Sequence, residues 1–439
     1  MNTANGSRRV VVTGLGVVSP IGSTPESLWT NLIEGKSGVA PFASLPRDVY
    51  PMSFGGEVPE FTGEIDNFGE LSPEVKKAIR KGVKLMCRET QMGVAAAQRA
   101  IAHAGLVAAK FDPERVGLSF GAGYMLTEPV EYSAGILKCM TDEKFDFARW
   151  GAEGMRQVTP LWLLKYLPNM PACHIAIYND LRGPNNSLTH GEAAANLAVG
   201  EAYQVIARGS ADVMVAGATG TKIHKMRTIQ AALQEELSPG GGNPAEVSRP
   251  FDKHRTGMVV GEGAGVVVLE ELESARKRGA TIYGEIIGAA SSCVADRNRV
   301  SRRDVALANV MRGAMRKSGA TPKDVAFVHA HGLSTHASDK EEARAIRQVF
   351  GDAADRLPVV ASKSHFGNLG AGSGAVELVA SLLALHHKRL FPVLNYSTPD
   401  PECPISPVTT NDRPAGKSFM NLSVNARGQA SGLLVRAVD

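Results

Sequence analysis

Cysteine is scarce in this chain, and its spacing suits neither a metal site nor a disulfide framework. Five cysteines occur in 439 residues, namely Cys87, Cys139, Cys173, Cys293 and Cys403. Their number is odd and no CxxC pair is present, which disfavours both a zinc site and a set of structural disulfides. The segment from Met1 to Arg9 is polar and is not typical of a secretory signal. A reducing, cytoplasmic location is therefore predicted.

Long apolar runs and one-sided charge are also lacking. No uninterrupted apolar stretch approaches the ~18–20 residues that span a bilayer, so membrane insertion is not expected. The chain has 48 Lys and Arg against 44 Asp and Glu, a formal net charge of +4, and aromatic residues make up only 6%. Because no basic run is interleaved with aromatics, nucleic acid is not a predicted partner. No convincing metal-ligand spacing such as HExxH occurs, so no metal is predicted either.

What the chain does contain is a large apolar fraction and many glycines, 44% and 46 residues respectively, as in a large α/β protein. Residues 100–123 and 314–332 each indicate a helix, a short turn, a four-residue apolar strand and a glycine-containing loop. These segments lie about half the chain apart, which favours an internal duplication. Chance similarity of two common helix–strand units is the alternative. We predict two α/β halves, residues 1–272 and 273–439.

The most informative local pattern is Arg182–Glu192, followed by the small-residue stretch Ala193–Ala207. It predicts a strand ending near Leu188, a sharp turn, and a helix that opens near Gly191. Such a strand–turn–helix is the geometry of a nucleophile elbow, with free helical N–H groups facing a cleft. The residue at the elbow, however, is Glu192 rather than Ser or Cys. On local grounds, a glutamate that merely caps the helix is an equal alternative.

Three further segments carry polar groups at predicted turns: His329–His336, Ser362–Gly374 and Ser423–Gly432. His331 follows a strand, at the end where α/β proteins place their chemistry. A histidine in such a place is as often structural as catalytic, but three histidines in eight residues favour a site.

From Arg9 to Val435 the sequence resembles the elongating β-ketoacyl-acyl-carrier-protein synthases of the thiolase-fold superfamily. The motifs that carry the resemblance are VVVTGLGVVSPIG (10–22), LRGPNNS (181–187), GSADVMVAG (209–217), SRPFDKHRTGMVVGEGAGVVVLEELESARKRGA (248–280), HAHGLST (329–335) and SKSHFGNLGAGSGAVE (362–377). The resemblance implies an α/β fold of two duplicated thiolase-like βαβαβαββ halves, stacked in five α-β-α-β-α layers and usually dimeric.

The resemblance also implies roles for particular residues. In the family, an elbow cysteine takes the acyl chain from a phosphopantetheine thioester; that position is Glu192 here. His331 matches the first catalytic histidine, whereas Asn368 stands where the second is expected. Lys363 and Glu377 match the lysine and glutamate that support the site.

Further substrate-binding positions follow from the same comparison. Arg427 and Asn425 replace two phenylalanines of the terminal glycine-rich loop, Leu333 replaces a pantetheine-facing threonine, and Thr335 is retained. His190 lies two residues before Glu192 and is a further candidate. We predict that Arg427 forms an ion pair with Glu192, because a buried carboxylate needs a cation; pairing of Glu192 with His331 or His190 is the alternative.

These replacements bear directly on the function that the resemblance implies. A glutamate has no thiol, so conventional cysteine-dependent condensation is not expected. We expect a protein of fatty-acid or polyketide metabolism that acts on acyl or malonyl thioesters, by decarboxylation or by acyl transfer with Glu192 as general base. A non-catalytic partner like a chain-length factor, or a homodimeric pseudoenzyme, is the alternative.

The expected substrates are carried on the phosphopantetheine of acyl carrier protein or on coenzyme A, with no tightly bound cofactor. The predicted partners are acyl carrier protein and a second ketosynthase-family chain, in a homodimer or heterodimer. Carrier proteins are acidic, so a cationic helix would favour their docking. The candidate docking residues are Lys76, Lys77, Arg80, Lys81 and Lys84; a solvated helix face is the equal alternative.

Overall fold

One eleven-stranded sheet runs through the computed structural model, which describes residues 8–46, 49–107, 111–240 and 242–438. Its strands are β1 (Val10–Val18), β2 (Val116–Ala122), β3 (Asn185–Thr189), β4 (Val213–Thr221), β5 (Glu262–Glu271), β6 (Gly284–Cys293), β7 (Phe327–His329), β8 (Pro358–Val360), β9 (Ser406–Pro407), β10 (Ser418–Val424) and β11 (Gln429–Arg436). Their order in the sheet is β9-β8-β7-β10-β11-β6-β1-β5-β4-β2-β3. Two small hairpins lie apart from this sheet and pair Ala40–Pro41 with Phe54–Gly55 and Met140–Thr141 with Lys144–Phe145.

The sheet consists of two halves with the same strand topology. When the two-residue edge strand β9 is left out, each half has five strands in the order first, fifth, fourth, second, third: β1-β5-β4-β2-β3 in one half and β6-β11-β10-β7-β8 in the other. In this order, neighbouring strands among the first three of each half are antiparallel, and the last three strands are parallel to one another. Within the sheet, the halves join where Val10–Val12 of β1 pairs with residues 284–286 of β6. The predicted duplication is confirmed by this repeat.

Helices pack on each half of the sheet and between the two halves. They are α1 (Pro25–Ile33), α2 (Pro73–Gly82), α3 (Arg88–His103), α4 (Val130–Lys138), α5 (Met170–Asn179), α6 (Ala194–Ala207), α7 (Lys225–Gln234), α8 (Leu272–Lys277), α9 (Arg303–Ser318), α10 (His336–Phe350), α11 (Lys363–Phe366) and α12 (Ser373–His386). Helices α6 and α12 contact strands of both halves, whereas α3 packs on the first half and α9 on the second. This arrangement is the expected α-β-α-β-α order. In the described ranges, no helix is both long and apolar enough to cross a membrane.

The central helices begin with the same turn. Gly191 and Gly370 have φ values of +54° and +60°, in the region that glycine adopts without strain. Each glycine opens one 3-10 turn, Gly191–Ala193 or Gly370–Gly372, and each turn continues into a 14-residue helix. The two turns contact each other. The strand–turn–helix predicted at Glu192 is therefore present, and its turn meets a similar turn of the second half.

Residues between Thr127 and Tyr166 lie outside the main sheet and form α4, one small hairpin and several short turns. The predicted division at residues 272 and 273 falls at the start of α8 and stays a prediction.

Candidate functional site

Glu192 stands at the turn between β3 and α6, where the sequence places the elbow. Its side chain is 12% exposed, and its Oε1 lies 2.9 Å from Nζ of Lys222. The Nδ2 group of Asn368 donates to the same oxygen at 3.2 Å. Because Asn368 belongs to the second half, this contact joins the two halves at the elbow.

Lys222 is a residue of the candidate site that sequence reasoning missed. It follows directly after β4, and its buried ammonium also lies 2.7 Å from Oε1 of Glu235. The available signal was its position at the carboxyl end of a parallel strand that neighbours β2. Lys222 therefore bridges two carboxylates, one at the elbow and one just after α7.

The charge of Glu192 is fixed by this pairing. Burial alone would raise the pKa of the carboxyl, but the adjacent Lys222 ammonium outweighs it and holds the pKa well below its usual range. Burial would likewise lower the pKa of Lys222, but Glu192 and Glu235 raise it. Both groups are therefore ionised at neutral pH.

The predicted ion pair between Glu192 and Arg427 is wrong, because the cation beside Glu192 is Lys222. Arg427 lies exposed on the loop between β10 and β11. Its loop is held by Asn425, whose Oδ1 accepts from the N–H groups of Arg427 and Gln429 at 3.0 and 3.1 Å. The amide of Asn425 in turn donates to the carbonyl oxygen of His190 at 3.2 Å. Hydrogen bonds from the Asn425 side chain to backbone groups thus hold this loop against the elbow. The Arg427 guanidinium and the His190 side chain face solvent.

His331 is buried in the loop after β7, and Lys363 lies against it. The ammonium of Lys363 donates to the His331 carbonyl oxygen at 2.7 Å and to Nδ1 at 3.2 Å, and it forms an ion pair with Glu377. A lysine ammonium can only donate, so the proton of the neutral imidazole is on Nε2. Burial, followed by the charge of Lys363, lowers the pKa of His331 well below its usual value, while Glu192 acts weakly in the opposite direction. His331 is therefore a neutral ring at neutral pH.

The orientation of Asn368 is set by its carbonyl oxygen. Oδ1 accepts from the N–H of Gly370 at 3.0 Å and from the hydroxyl of Ser373 at 3.1 Å. The amide nitrogen is left to face Glu192 and lies 3.0 Å from Sδ of Met258. Asn368 thus acts as a fixed hydrogen-bond donor at the elbow.

Glu342 of α10 supports the His331 loop from behind. Its carboxylate accepts from the N–H groups of His331 and Gly332 at 2.7 and 2.8 Å. Burial raises the pKa of Glu342 to about 7, although the two N–H groups favour the charged form. The backbone beside the imidazole therefore depends on a group that titrates near neutrality.

The other residues of the histidine-rich segment have structural partners. His329 is buried between the hydroxyls of Ser381 and Ser362, at 2.7 and 2.9 Å, and His336 is exposed beside Glu236. The hydroxyl of Thr335 accepts from the N–H of Ser338 and caps α10. Leu333 is partly buried against an apolar cluster that includes Met258. Of the three histidines, His331 is the one that Lys363 contacts directly.

A cavity of about 170 Å³ opens beside the elbow. Hydrogen-bonding side chains dominate its wall: Tyr124, Glu192, Lys222, Arg227, Gln230, Gln234 and Glu235. Backbone and small side chains of Gly123, Gly191, Gly370, Ala231 and Ala371 complete it. The space in front of Glu192 is therefore small and polar.

The candidate docking cations lie on and just after α2. Lys77, Arg80, Lys81 and Lys84 are exposed, while Lys76 is half-buried, with its ammonium 3.8 Å from Asp66. The helix packs through Ile79, which is fully buried. These bases therefore form an exposed cationic face.

Comparisons with known proteins agree with this architecture. Residues 7–275 match the family model described as β-ketoacyl synthase, N-terminal domain, and residues 283–397 match that of the C-terminal domain. The 3-oxoacyl-(acyl-carrier-protein) synthase 2 of Synechocystis sp. is 35% identical over 407 residues, 92% of both chains. The protein of the same name from Coxiella burnetii is 34% identical over 409 residues, again 92% of both. The chain belongs to the β-ketoacyl synthase family, which acts in fatty-acid and polyketide synthesis.

Solved structures extend the likeness to the whole fold. A β-ketoacyl synthase from Burkholderia phymatum matches with a TM-score of 0.84 and 26% identity, covering 98% of this chain and all of that one. The ishigamide ketosynthase/chain length factor matches with a TM-score of 0.81 and 29% identity, over 99% of this chain and 100% of that one. A ketosynthase solved in complex with its type II polyketide acyl-carrier protein matches with a TM-score of 0.81 and 28% identity, covering 98% of this chain and 100% of that one. The thiolase-like fold is thus confirmed.

Proposed function

We propose that this chain binds acyl or malonyl thioesters of acyl carrier protein and acts on them without forming an acyl-cysteine. The observation that carries the proposal is the arrangement at the elbow. An ion-paired carboxylate, Glu192 with Lys222, stands where a nucleophile is expected. Beside it, the His331–Lys363 contact and the Lys363–Glu377 ion pair are formed. The names of the similar synthases support acyl carrier protein as the substrate carrier.

The thiols of the chain offer no substitute nucleophile at the elbow. Burial raises the pKa of Cys87 to about 11 and that of Cys403 to about 12, so both are protonated at neutral pH. Cys139 is buried as well. Cys173 lies on α5 and Cys293 at the end of β6, outside the elbow turn. Covalent loading of an acyl chain on sulfur is therefore not part of the proposed reaction.

His331 is better suited than Glu192 to assist the chemistry. A carboxylate whose pKa is held this low is a weak base, so the general-base role expected for Glu192 is disfavoured. The Nε2–H of His331, by contrast, can donate to a thioester carbonyl oxygen and stabilise an enolate that forms there. Lys363 fixes this tautomer from the far side of the ring. We therefore assign the polarising role to His331 and the orienting role to Lys363.

Intact-mass spectrometry with acyl- and malonyl-carrier protein tests this proposal. We expect malonyl-carrier protein to lose carbon dioxide and take up a proton, which leaves acetyl-carrier protein, or the acyl group to pass from the carrier protein to water, without a mass increase on this chain. His331→Ala should abolish the turnover, whereas His336→Ala, an exposed histidine five residues later, should leave it unchanged. A stable acyl adduct on the chain, or turnover that survives His331→Ala, contradicts the proposal.

A second candidate is a non-catalytic subunit that pairs with a cysteine-bearing ketosynthase. The observation that favours it is again the ion-paired elbow, since a buried salt bridge fills the nucleophile position without offering a reactive group. One of the similar structures is a ketosynthase/chain length factor. Co-purification with a cysteine-bearing ketosynthase, together with no turnover by the chain alone, would favour this candidate. Turnover by the purified chain alone favours the first.

A further inference from the structure

The polar cavity beside Glu192 points to the kind of acyl group that this chain takes, an inference that rests on the proposed function. The cavity measures about 170 Å³. Pockets for drug-sized ligands run to roughly 300–1,000 Å³ and are mostly apolar. This one is smaller, and seven of its twelve lining residues carry a hydrogen-bonding side chain. A long alkyl chain suits neither its size nor its wall.

The charges around the cavity are already paired. Lys222 is shared by Glu192 and Glu235, with ammonium–carboxylate distances of 2.9 and 2.7 Å. Arg227 donates to the carbonyl oxygen of Thr221 at 2.6 Å and lies 3.3 Å from Oε1 of the buried Glu89. An alkyl group packed against these pairs would remove water from them without replacing its hydrogen bonds, which is costly. An anionic group, such as the malonyl carboxylate, would meet Glu192 and Glu235, so within the proposed function the cavity favours acyl over malonyl thioesters.

Neutral hydrogen-bonding groups remain available on one side of the cavity. Gln230 and Gln234 lie one turn apart on α7, and both are exposed and line the cavity. A primary amide offers both donors and an acceptor, so this pair can bind a hydroxyl or an amide. We propose that the cavity selects short, neutral acyl groups bearing a hydroxyl or amide over long alkyl groups.

Binding of loaded carrier proteins tests the selection without requiring turnover. The probes are acyl carrier protein carrying 3-hydroxybutyryl, butyryl or octanoyl groups through a non-hydrolysable amide linkage, and Kd is measured by calorimetry. We expect the 3-hydroxybutyryl form to bind about 5-fold more tightly than the butyryl form, the worth of about one net hydrogen bond. The octanoyl form should bind most weakly.

The variant Gln230→Leu/Gln234→Leu makes one wall apolar and should remove the preference for the hydroxyl. Gln348→Leu, an exposed glutamine on α10, is the matched control and should keep it. Tighter binding of the octanoyl form by the unaltered chain would overturn this inference while leaving the proposed function intact. Failure of all three probes to bind would instead refute the proposed function, and this inference with it.

Discussion

Lys222 at the end of β4 neutralises Glu192 at the start of α6, with the ammonium 2.9 Å from the carboxylate and both side chains about nine-tenths buried. The pair places a fixed salt bridge at the position where the sequence resemblance implies a reactive thiol. Its partners come from consecutive strand–turn units of the first half, and Asn368 adds a hydrogen bond from the second. The elbow is therefore a structural joint as well as a candidate site.

Breaking this pair should destabilise the protein. Lys222→Met leaves two buried carboxylates without their shared cation, and the loss of one partner of a buried pair costs about 3–5 kcal/mol. The free energy of unfolding, measured in urea, checks this. Arg182→Met is the control, since its partner Asp180 is about 60% exposed and the loss should stay below about 1 kcal/mol. If both variants lose an equally small free energy of unfolding, the Lys222 ion pairs do not stabilise the elbow.

The pH dependence of stability should reveal Glu342. Its folded-state pKa of about 7 lies above the ~4.3 of an unfolded glutamate. The stabilising effect of the protonated form is therefore complete below the unfolded pKa. It declines as pH rises through the folded value, by at most about 1.4 kcal/mol per pH unit. We expect the free energy of unfolding of Glu342→Gln to depend less on pH between pH 5 and pH 8 than that of the unaltered chain. An unchanged slope would show that the two backbone N–H groups keep Glu342 ionised.

Restoring a cysteine should not restore condensation. In Glu192→Cys the thiol would lie beside Lys222, but Asn368 still occupies the position of the second histidine, so enolate stabilisation stays incomplete. We expect no ketoacyl product above background from acyl- and malonyl-carrier protein, measured by mass spectrometry. The double variant Glu192→Cys/Asn368→His is the comparison, and any elongation should appear there first. Robust elongation by the single variant would contradict the view that the site changed as a unit.

The cationic face of α2 should contribute to carrier-protein binding. Lys77→Glu/Lys81→Glu should weaken binding of acyl carrier protein about tenfold at low salt, and less at high salt, because exposed charges are screened. Lys253→Glu/Lys323→Glu makes the same change in net charge at exposed lysines elsewhere. Equal weakening by both pairs would mean that only the total charge matters.

Sequence reasoning reached the fold and the pairing of Lys363 with Glu377 because these depend on local patterns. The small residues after Gly191 and the glycine-rich turn before Ser373 mark the starts of the two central helices. Lys363 and Glu377 meet within one segment of the second half, and the family motif places them.

The partner of Glu192 was not predictable in this way. The family resemblance places Arg427 next to the elbow. The side chain of Asn425, however, hydrogen-bonds to the backbone of Arg427 and His190, and the guanidinium faces solvent. Lys222 lies thirty residues after Glu192 and comes near it only because β2 lies between β3 and β4 in the sheet. A contact of this kind depends on strand order, which local patterns do not give.

The paired turns at Gly191 and Gly370 have a consequence for electrostatics. Each turn begins a 14-residue helix, and the amino end of such a helix carries roughly half a positive elementary charge. Because the two turns touch, the backbone alone brings close to one full positive charge to the cleft. This potential belongs to the duplicated main chain and persists through any side-chain replacement. An anion at the elbow, whether thiolate or carboxylate, is thus favoured by the fold itself, and Lys222 adds to a field that is already present.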